Sequence, residues 1–168
     1  MIPEDKMDGI CTAYLGLGSN MGDKAANIFE ARNRLNDTDG ISVSQVSHLY
    51  RTAPWGNTDQ DWFINACLRI ETTLEAHQLL TSCLDIEHAM GRKRLQKWGP
   101  RLIDIDVLVY EGMELESERL TLPHPYILNR SFVLAPLSEI APDLCIKGEM
   151  VSTALARLDT SDISIFKC

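Results

Sequence analysis

The chain has 168 residues, 45% of them hydrophobic and 24% charged, enough to bury a real core in one domain and too few for two. Lys and Arg number 16 against 24 Asp and Glu, a net charge of −8, which excludes a general role on nucleic acid or an anionic membrane and requires any anionic ligand to find a local basic patch. Five cysteines, at 11, 67, 83, 145 and 168, show no Cys-x-x-Cys spacing and read as reduced thiols of a cytoplasmic protein.

Residues 1–12 read as a loose leader, without the charged-then-apolar pattern of a signal segment, ahead of a single domain over 13–168. No run approaches the ~18 apolar residues of a membrane helix. A first strand is expected at 12–17, running into Gly16-Leu17-Gly18-Ser19-Asn20. Ala25, Ile28, Phe29, Ala31 and Leu35 recur at helical spacing and predict a helix over 23–36 with Asp23 as its N-cap. A strand over 41–52 follows, its alternation slipping after Val43, then a loop at 53–57 and a cleanly alternating strand over 62–72. Leu79, Cys83, Ile86 and Met90 form the stripe of a helix over 74–90, with Gly91 at the usual stop position. Beyond a basic loop come a strand over 102–110, a turn at Glu111-Gly112, the rigid Pro123-His124-Pro125 connector, a helix over 129–140 and a short helix over 149–158. Such irregular alternation, with neighbouring strands able to pair as hairpins, indicates a two-layer α+β domain with a mainly antiparallel sheet.

The most informative stretch is Arg101-Leu102-Ile103-Asp104-Ile105-Asp106. Period-two alternation puts Asp104 and Asp106 on one face and Ile103, Ile105, Val107 and Val109 on the other, with the acids' Cβ atoms about 6–7 Å apart. That spacing suits oxygen ligation of magnesium beside a polyphosphate. Two solvated acids on a half-exposed strand are the plainer alternative. Just upstream, however, Arg92, Lys93, Arg94, Lys97 and Arg101 place five of the sixteen cations within ten positions. Cations that neutralise transferring oxygens, next to metal-holding acids, are the parts phosphoryl transfer requires. Trp98-Gly99-Pro100 within that basic loop suggests a lid closing over a flat ligand rather than a merely solvated segment.

Over 62–72, Trp62, Ile64, Ala66, Leu68 and Ile70 make the core face, leaving Phe63 and Asn65 side by side opposite. Phe63 can stack on a flat heterocycle, and Asn65 can both donate to and accept from a ring edge, as a pterin or purine requires. Packing against a loop is the plainer role for Phe63. The glycines at 16, 18 and 22 miss the dinucleotide spacing, and no P-loop occurs. Of the four histidines only His124, clamped between two prolines, is placed for a ligand contact.

Gly16-Leu17-Gly18-Ser19-Asn20, Tyr50-Arg51-Thr52-Ala53-Pro54, Asn65, Glu87, Gly91-Arg92, Trp98-Gly99-Pro100-Arg101, Asp104-Ile105-Asp106, Pro123-His124 and Asn129-Arg130 stand in the order found in the hydroxymethyl-dihydropterin pyrophosphokinases of folate synthesis. The chain resembles that family over residues 13–147. The resemblance implies a ferredoxin-like α+β fold and transfer of diphosphate from ATP to 6-hydroxymethyl-7,8-dihydropterin, with release of AMP and the help of two Mg²⁺ ions. It makes Asp104 and Asp106 the metal ligands and, with Arg92 and Arg101, the catalytic set. Glu87, Arg92, Arg94, Arg101, His124 and Arg130 fall to the ATP site. Thr52, Trp55, Phe63, Asn65, Trp98 and Phe132 fall to the pterin, with the two phenylalanines stacking on its faces. The expected partners are these two small molecules, with no nucleic acid, no membrane and a monomeric chain. Two rivals remain: a metal-dependent phosphodiesterase using the same acids, which would hydrolyse without the pterin, and a small RNA-binding module, which the net charge and the single strand aromatic disfavour.

Overall fold

The structure, a computed structural model, describes residues 9–54, 59–91 and 102–167. The elements run β1 (Cys11–Ser19), α1 (Lys24–Asn36), β2 (Ile41–Val46), β3 (Tyr50–Thr52), β4 (Phe63–Thr72), α2 (Ala76–Ala89), β5 (Asp104–Tyr110), β6 (Leu115–Glu116), β7 (Thr121–Leu122), α3 (Ser131–Ile140), β8 (Cys145–Ile146), β9 (Glu149–Met150), α4 (Val151–Ala156) and β10 (Ser164–Ile165). The main sheet is ordered β10-β3-β4-β1-β5, with β2 also pairing β4, and every pairing in it is antiparallel. This is the α+β architecture that the irregular alternation predicts.

Alternation decides which residues face which layer. On one face Leu15 and Leu17 of β1, Ile64, Leu68 and Ile70 of β4, and Ile105 and Val107 of β5 meet Ile28, Ala31 and Leu35 of α1 and Leu79, Cys83 and Ile86 of α2 in one cluster. On the other face Cys67 and Leu108 meet Val133, Leu134 and Leu137 of α3 and Val151 and Ala154 of α4. Asp23 caps α1 as expected, its carboxylate accepting from Ala26 N at 3.1 Å, and Gly91 takes φ +90 just past α2, the left-handed conformation a helix stop asks of glycine. Burial pushes the thiols of Cys67 and Cys83 up, and none of the four described cysteines is in a disulfide. Among the described residues no helix is long and apolar enough to cross a membrane.

Several boundaries differ from the sequence reading. The strand expected over 41–52 divides into β2 and β3, and the slip after Val43 is a register shift against β4 between Val43 and Gln45, a bulge. A second shift lies between Tyr14 and Leu15, where Leu15 faces Val107 but Tyr14 faces Val109. Leu108 is thereby inserted, and Val109 packs with the α3 cluster instead of beside Val107. The helix expected from 129 begins at Ser131, after a single tight turn at Ile127–Asn129. The last helix is shorter than 149–158, because Glu149–Met150 pairs with Cys145–Ile146.

Candidate active site

α3 packs on its sheet face around Cys67 and Leu108, and a cleft of about 660 Å³ including its mouth opens beside its first turn. Asp104 and Asp106 line it, because the residues between and beside them, Ile103 and Ile105, are drawn into the core behind. Across the ladder stand Gly18 opposite Asp104 and Gly16 opposite Asp106, so no side chain from β1 fills the space before the acids. Phe63 and Asn65 of β4 form a second wall, Thr52 and Ala53 the end of β3, and Arg130, Phe132 and Val133 the start of α3. Strand alternation thus brings together the acids, the aromatic and the amide that the sequence singles out.

The amide is held firmly. Asn65 Nδ2 donates to Thr52 Oγ1 at 2.7 Å, and both residues are buried, at 9% and 2% exposure. A Cβ at Gly18 would lie 2.7 Å from Asn65 Oδ1, closer than packed atoms allow. Gly18 therefore needs to be glycine for the sake of Asn65, a role that dinucleotide spacing could not reveal; the available signal was a glycine within a strand, which often marks a close approach. Arg130 is buried, with its guanidinium carbon 4.9 Å from the Tyr126 ring centre and 5.6 Å from that of Phe132.

Glu87 and His124 stand apart from the cleft lining. Glu87, 3% exposed, accepts from the backbone N–H of Ile105 at 2.8 Å and so holds β5 between the two acids from outside the ladder. His124 holds the same strand further on, its N–H donating to Leu108 O at 2.9 Å. Its Nδ1 accepts from Tyr126 N at 3.3 Å, which puts the proton of the neutral ring on Nε2. Burial first, and the Arg130 charge second, press its pKa down to about 4 against a smaller opposing pull from Asp104. Trp55, Arg92, Arg94, Lys97, Trp98 and Arg101 lie outside the described residues.

Two carboxylates facing a cleft with an aromatic and an amide in its wall, on an α+β sheet, are the makings of a small-molecule enzyme site. Comparison with known proteins gives the class its name. The model of the 7,8-dihydro-6-hydroxymethylpterin-pyrophosphokinase (HPPK) family matches residues 14–142, and the chain belongs to that family. A 2-amino-4-hydroxy-6-hydroxymethyldihydropteridine pyrophosphokinase of Methylorubrum extorquens is 60% identical, covering 90% of this chain and 96% of its own. A Bacillus subtilis enzyme of the same description is 38% identical over 92% and 90%. Among solved structures, Plasmodium falciparum HPPK-DHPS with pteroate superposes over 88% of this chain and 42% of that one, with a TM-score of 0.71 and 15% identity, a likeness of fold.

Proposed function

We propose that the chain transfers the diphosphate of ATP to the hydroxymethyl group of 6-hydroxymethyl-7,8-dihydropterin, giving AMP and the pterin diphosphate in folate biosynthesis. The observation that carries this reading is the meeting of Asp104 and Asp106 with Phe63, Asn65 and Phe132 in one cleft. An acidic metal-holding edge there faces a wall suited to a flat heterocycle.

In this reading Phe63 and Phe132 stack on the pterin, and Asn65, with the backbone of Thr52 and Trp55, fixes its polar edge. Asp104 and Asp106 would hold two Mg²⁺ ions. The donors fit in kind: both are hard oxygen ligands lining one cleft, and magnesium takes few carboxylates, completing its shell with phosphate oxygens and water. When bound, the metal supplies neutralisation of phosphate charge. Arg92 and Arg101 act on the phosphates by bidentate pairing, joined by Arg94 and Arg130, while Trp98 closes over the site. His124, neutral with its proton on Nε2, is a hydrogen-bond donor to the nucleotide, and Glu87 serves the same site by keeping β5 in place.

The pterin hydroxyl oxygen attacks the β-phosphorus in line; the new O–P bond forms as the bond from the β-phosphorus to the α–β bridging oxygen breaks, AMP leaves with that oxygen, and the hydroxyl proton passes to solvent water. Positioning and electrostatics carry the rate, with no dedicated protein base. The reading includes a monomeric cytoplasmic enzyme that acts on small molecules. One assay tests it: with ATP, Mg²⁺ and the hydroxymethyl-dihydropterin, AMP should form only when all three are present. Hydrolysis without the pterin would favour the phosphodiesterase reading, and absence of AMP would overturn the transfer itself.

A further inference from the structure

We infer that Tyr126 is a positioning residue for ATP binding: its ring holds the guanidinium of Arg130 at the cleft. The inference rests on the phosphate role proposed for Arg130 and goes beyond it, since that role leaves open what aims the group. Tyr126 belongs to neither set of substrate residues named so far.

The backbone of Arg130 is anchored at the start of α3. Its carbonyl accepts from Val133 N and Leu134 N, both at 3.0 Å, and its N–H donates to Ile127 O at 3.4 Å. Beyond the Cα an arginine side chain is long and freely rotating, so the place where its charge comes to rest depends on what it packs against. Here it packs against two rings. The guanidinium carbon lies 4.9 Å from the centre of Tyr126 and 5.6 Å from that of Phe132, both within the reach of cation–π attraction. Phe132 lines the cleft together with Arg130. Tyr126 is 46% exposed and Arg130 only 6%, so the tyrosine is the outer cover of the charge. A single tight turn at Ile127–Asn129 connects the two residues.

A ring suits this task. A carboxylate in the same place would hold the guanidinium as well but would cancel its charge, whereas the face of a ring attracts the cation and leaves it positive for a phosphate. Cover by the tyrosine also keeps water from the charge, which strengthens its pull on an anion brought beside it. The tyrosine hydroxyl has no part in this, so a phenylalanine should serve equally and an aliphatic side chain should not. The backbone N–H of Tyr126 donates to His124 Nδ1 at 3.3 Å and is kept by either replacement. The ring of Tyr126 also lies 6.0 Å from that of His124, and an aliphatic residue removes that contact too. An effect carried by His124 must therefore be separated from one carried by Arg130.

The test compares purified wild-type protein with Tyr126→Leu, Tyr126→Phe, Arg130→Met and the double variant Tyr126→Leu with Arg130→Met. Binding of a non-hydrolysable ATP analogue with Mg²⁺ is followed by calorimetry, binding of the hydroxymethyl-dihydropterin by its fluorescence, and folding by thermal unfolding. Tyr126→Leu should weaken binding of the analogue about fivefold and leave pterin affinity within about twofold of wild type, while Tyr126→Phe should bind the analogue as wild type does. Arg130→Met should weaken the analogue by at least as much, and adding Tyr126→Leu to it should cost nothing further, because the tyrosine acts only through the guanidinium. Wild-type analogue affinity in Tyr126→Leu overturns the inference, as does an equal loss for analogue and pterin. A Tyr126→Phe protein as weak as Tyr126→Leu overturns it by assigning the effect to the hydroxyl, and a second loss in the double variant overturns it by assigning the effect to His124 or to direct contact with the nucleotide. Should Arg130→Met not fold, Tyr126→Leu and Tyr126→Phe, altered at a half-exposed position, still decide through the contrast between them and the split between analogue and pterin. An Arg130→Met protein with wild-type analogue affinity overturns the phosphate role of Arg130 and the inference with it. Wild-type protein that binds no ATP analogue overturns the substrate reading itself, a result distinguishable from all of these.

Discussion

The two faces of the main sheet use the same strands to opposite ends. On the face toward α1 and α2, Leu15, Leu68 and Ile105 belong to one continuous apolar cluster. On the face toward α3 and α4, the apolar contact is confined to the middle, around Cys67 and Leu108, and the strand ends carry Asp104, Asp106, Phe63 and Asn65 into open space. A residue shifted by one position along a strand moves from one regime to the other. One face stabilises the fold, and the partial cover of the other makes room for a ligand. Substitutions on the two faces should therefore separate stability from activity.

The largest expected effect is on the open face. Asp106→Ala removes a proposed metal ligand from a half-buried position and should lower kcat by at least about 10³-fold, while thermal unfolding shifts little. AMP formation at a near-normal rate by that variant would remove the metal assignment and blur the distinction between the faces. Next comes the closed face. Leu68 of β4 is fully buried in the cluster that packs against α1 and α2, and Leu68→Ala should cost about 2–5 kcal/mol of stability in denaturant unfolding, with the folded fraction retaining its kcat. A selective fall in kcat there would show that the core face tunes the site as well as supporting it.

Much of this was legible in the sequence because it depends on period two within a single strand. The side-by-side placement of Asp104 with Asp106, and of Phe63 with Asn65, follows from alternation alone and appears in the cleft as expected. What a neighbouring strand decides was not legible. Val109 lies on the unexpected face because β5 gains a residue opposite the step from Tyr14 to Leu15, and nothing within β5 announces it. The reason for a glycine at 18 is likewise tertiary, an amide from β4 resting over it. Arg130 and Phe132 reached the site reading through family resemblance; the structure adds that the start of α3 puts them at the cleft, opposite the acids' strand.

A third, intermediate effect concerns His124, which ties β5 to the connector on the open side. Its pKa is pressed from 6.5 to about 4, so the folded protein keeps the ring neutral while the unfolded chain takes up a proton below about 6.5. The stability this group contributes is therefore present in full above pH 6.5 and is lost as the pH falls toward 4, amounting to at most about 3 kcal/mol. His124→Gln should remove that part of the acid sensitivity, seen as a flatter dependence of unfolding free energy on pH between 6.5 and 4. An unchanged slope would mean that the ring is not held neutral by its burial and by Arg130.

The smallest effect tests how α3 is held over its partial face. Glu139, near the end of α3, accepts from Tyr50 Oη at 2.6 Å and from His48 N at 2.9 Å, with His48 Nδ1 also 2.9 Å away. Burial pulls the Glu139 pKa up, but the hydrogen bonds from Tyr50 and His48 outweigh it and leave it lowered; the clamp is thus made above the usual carboxylate range and loosens as acid protonates it. Being half exposed, it should contribute only about 1–2 kcal/mol. Glu139→Ala should therefore lower stability by that amount at neutral pH and by less below pH 4, measured by denaturant unfolding at both. Because Tyr50 shares β3 with Thr52, and Phe132 shares α3 with Glu139, loosening the clamp should also raise the pterin KM, by less than about threefold, and leave that of ATP alone. A large loss of stability instead would mean that α3 is held chiefly by this polar clamp and not by Leu134 and Leu137, and the open face would then owe its order to a few hydrogen bonds rather than to a smaller version of the core on the other side.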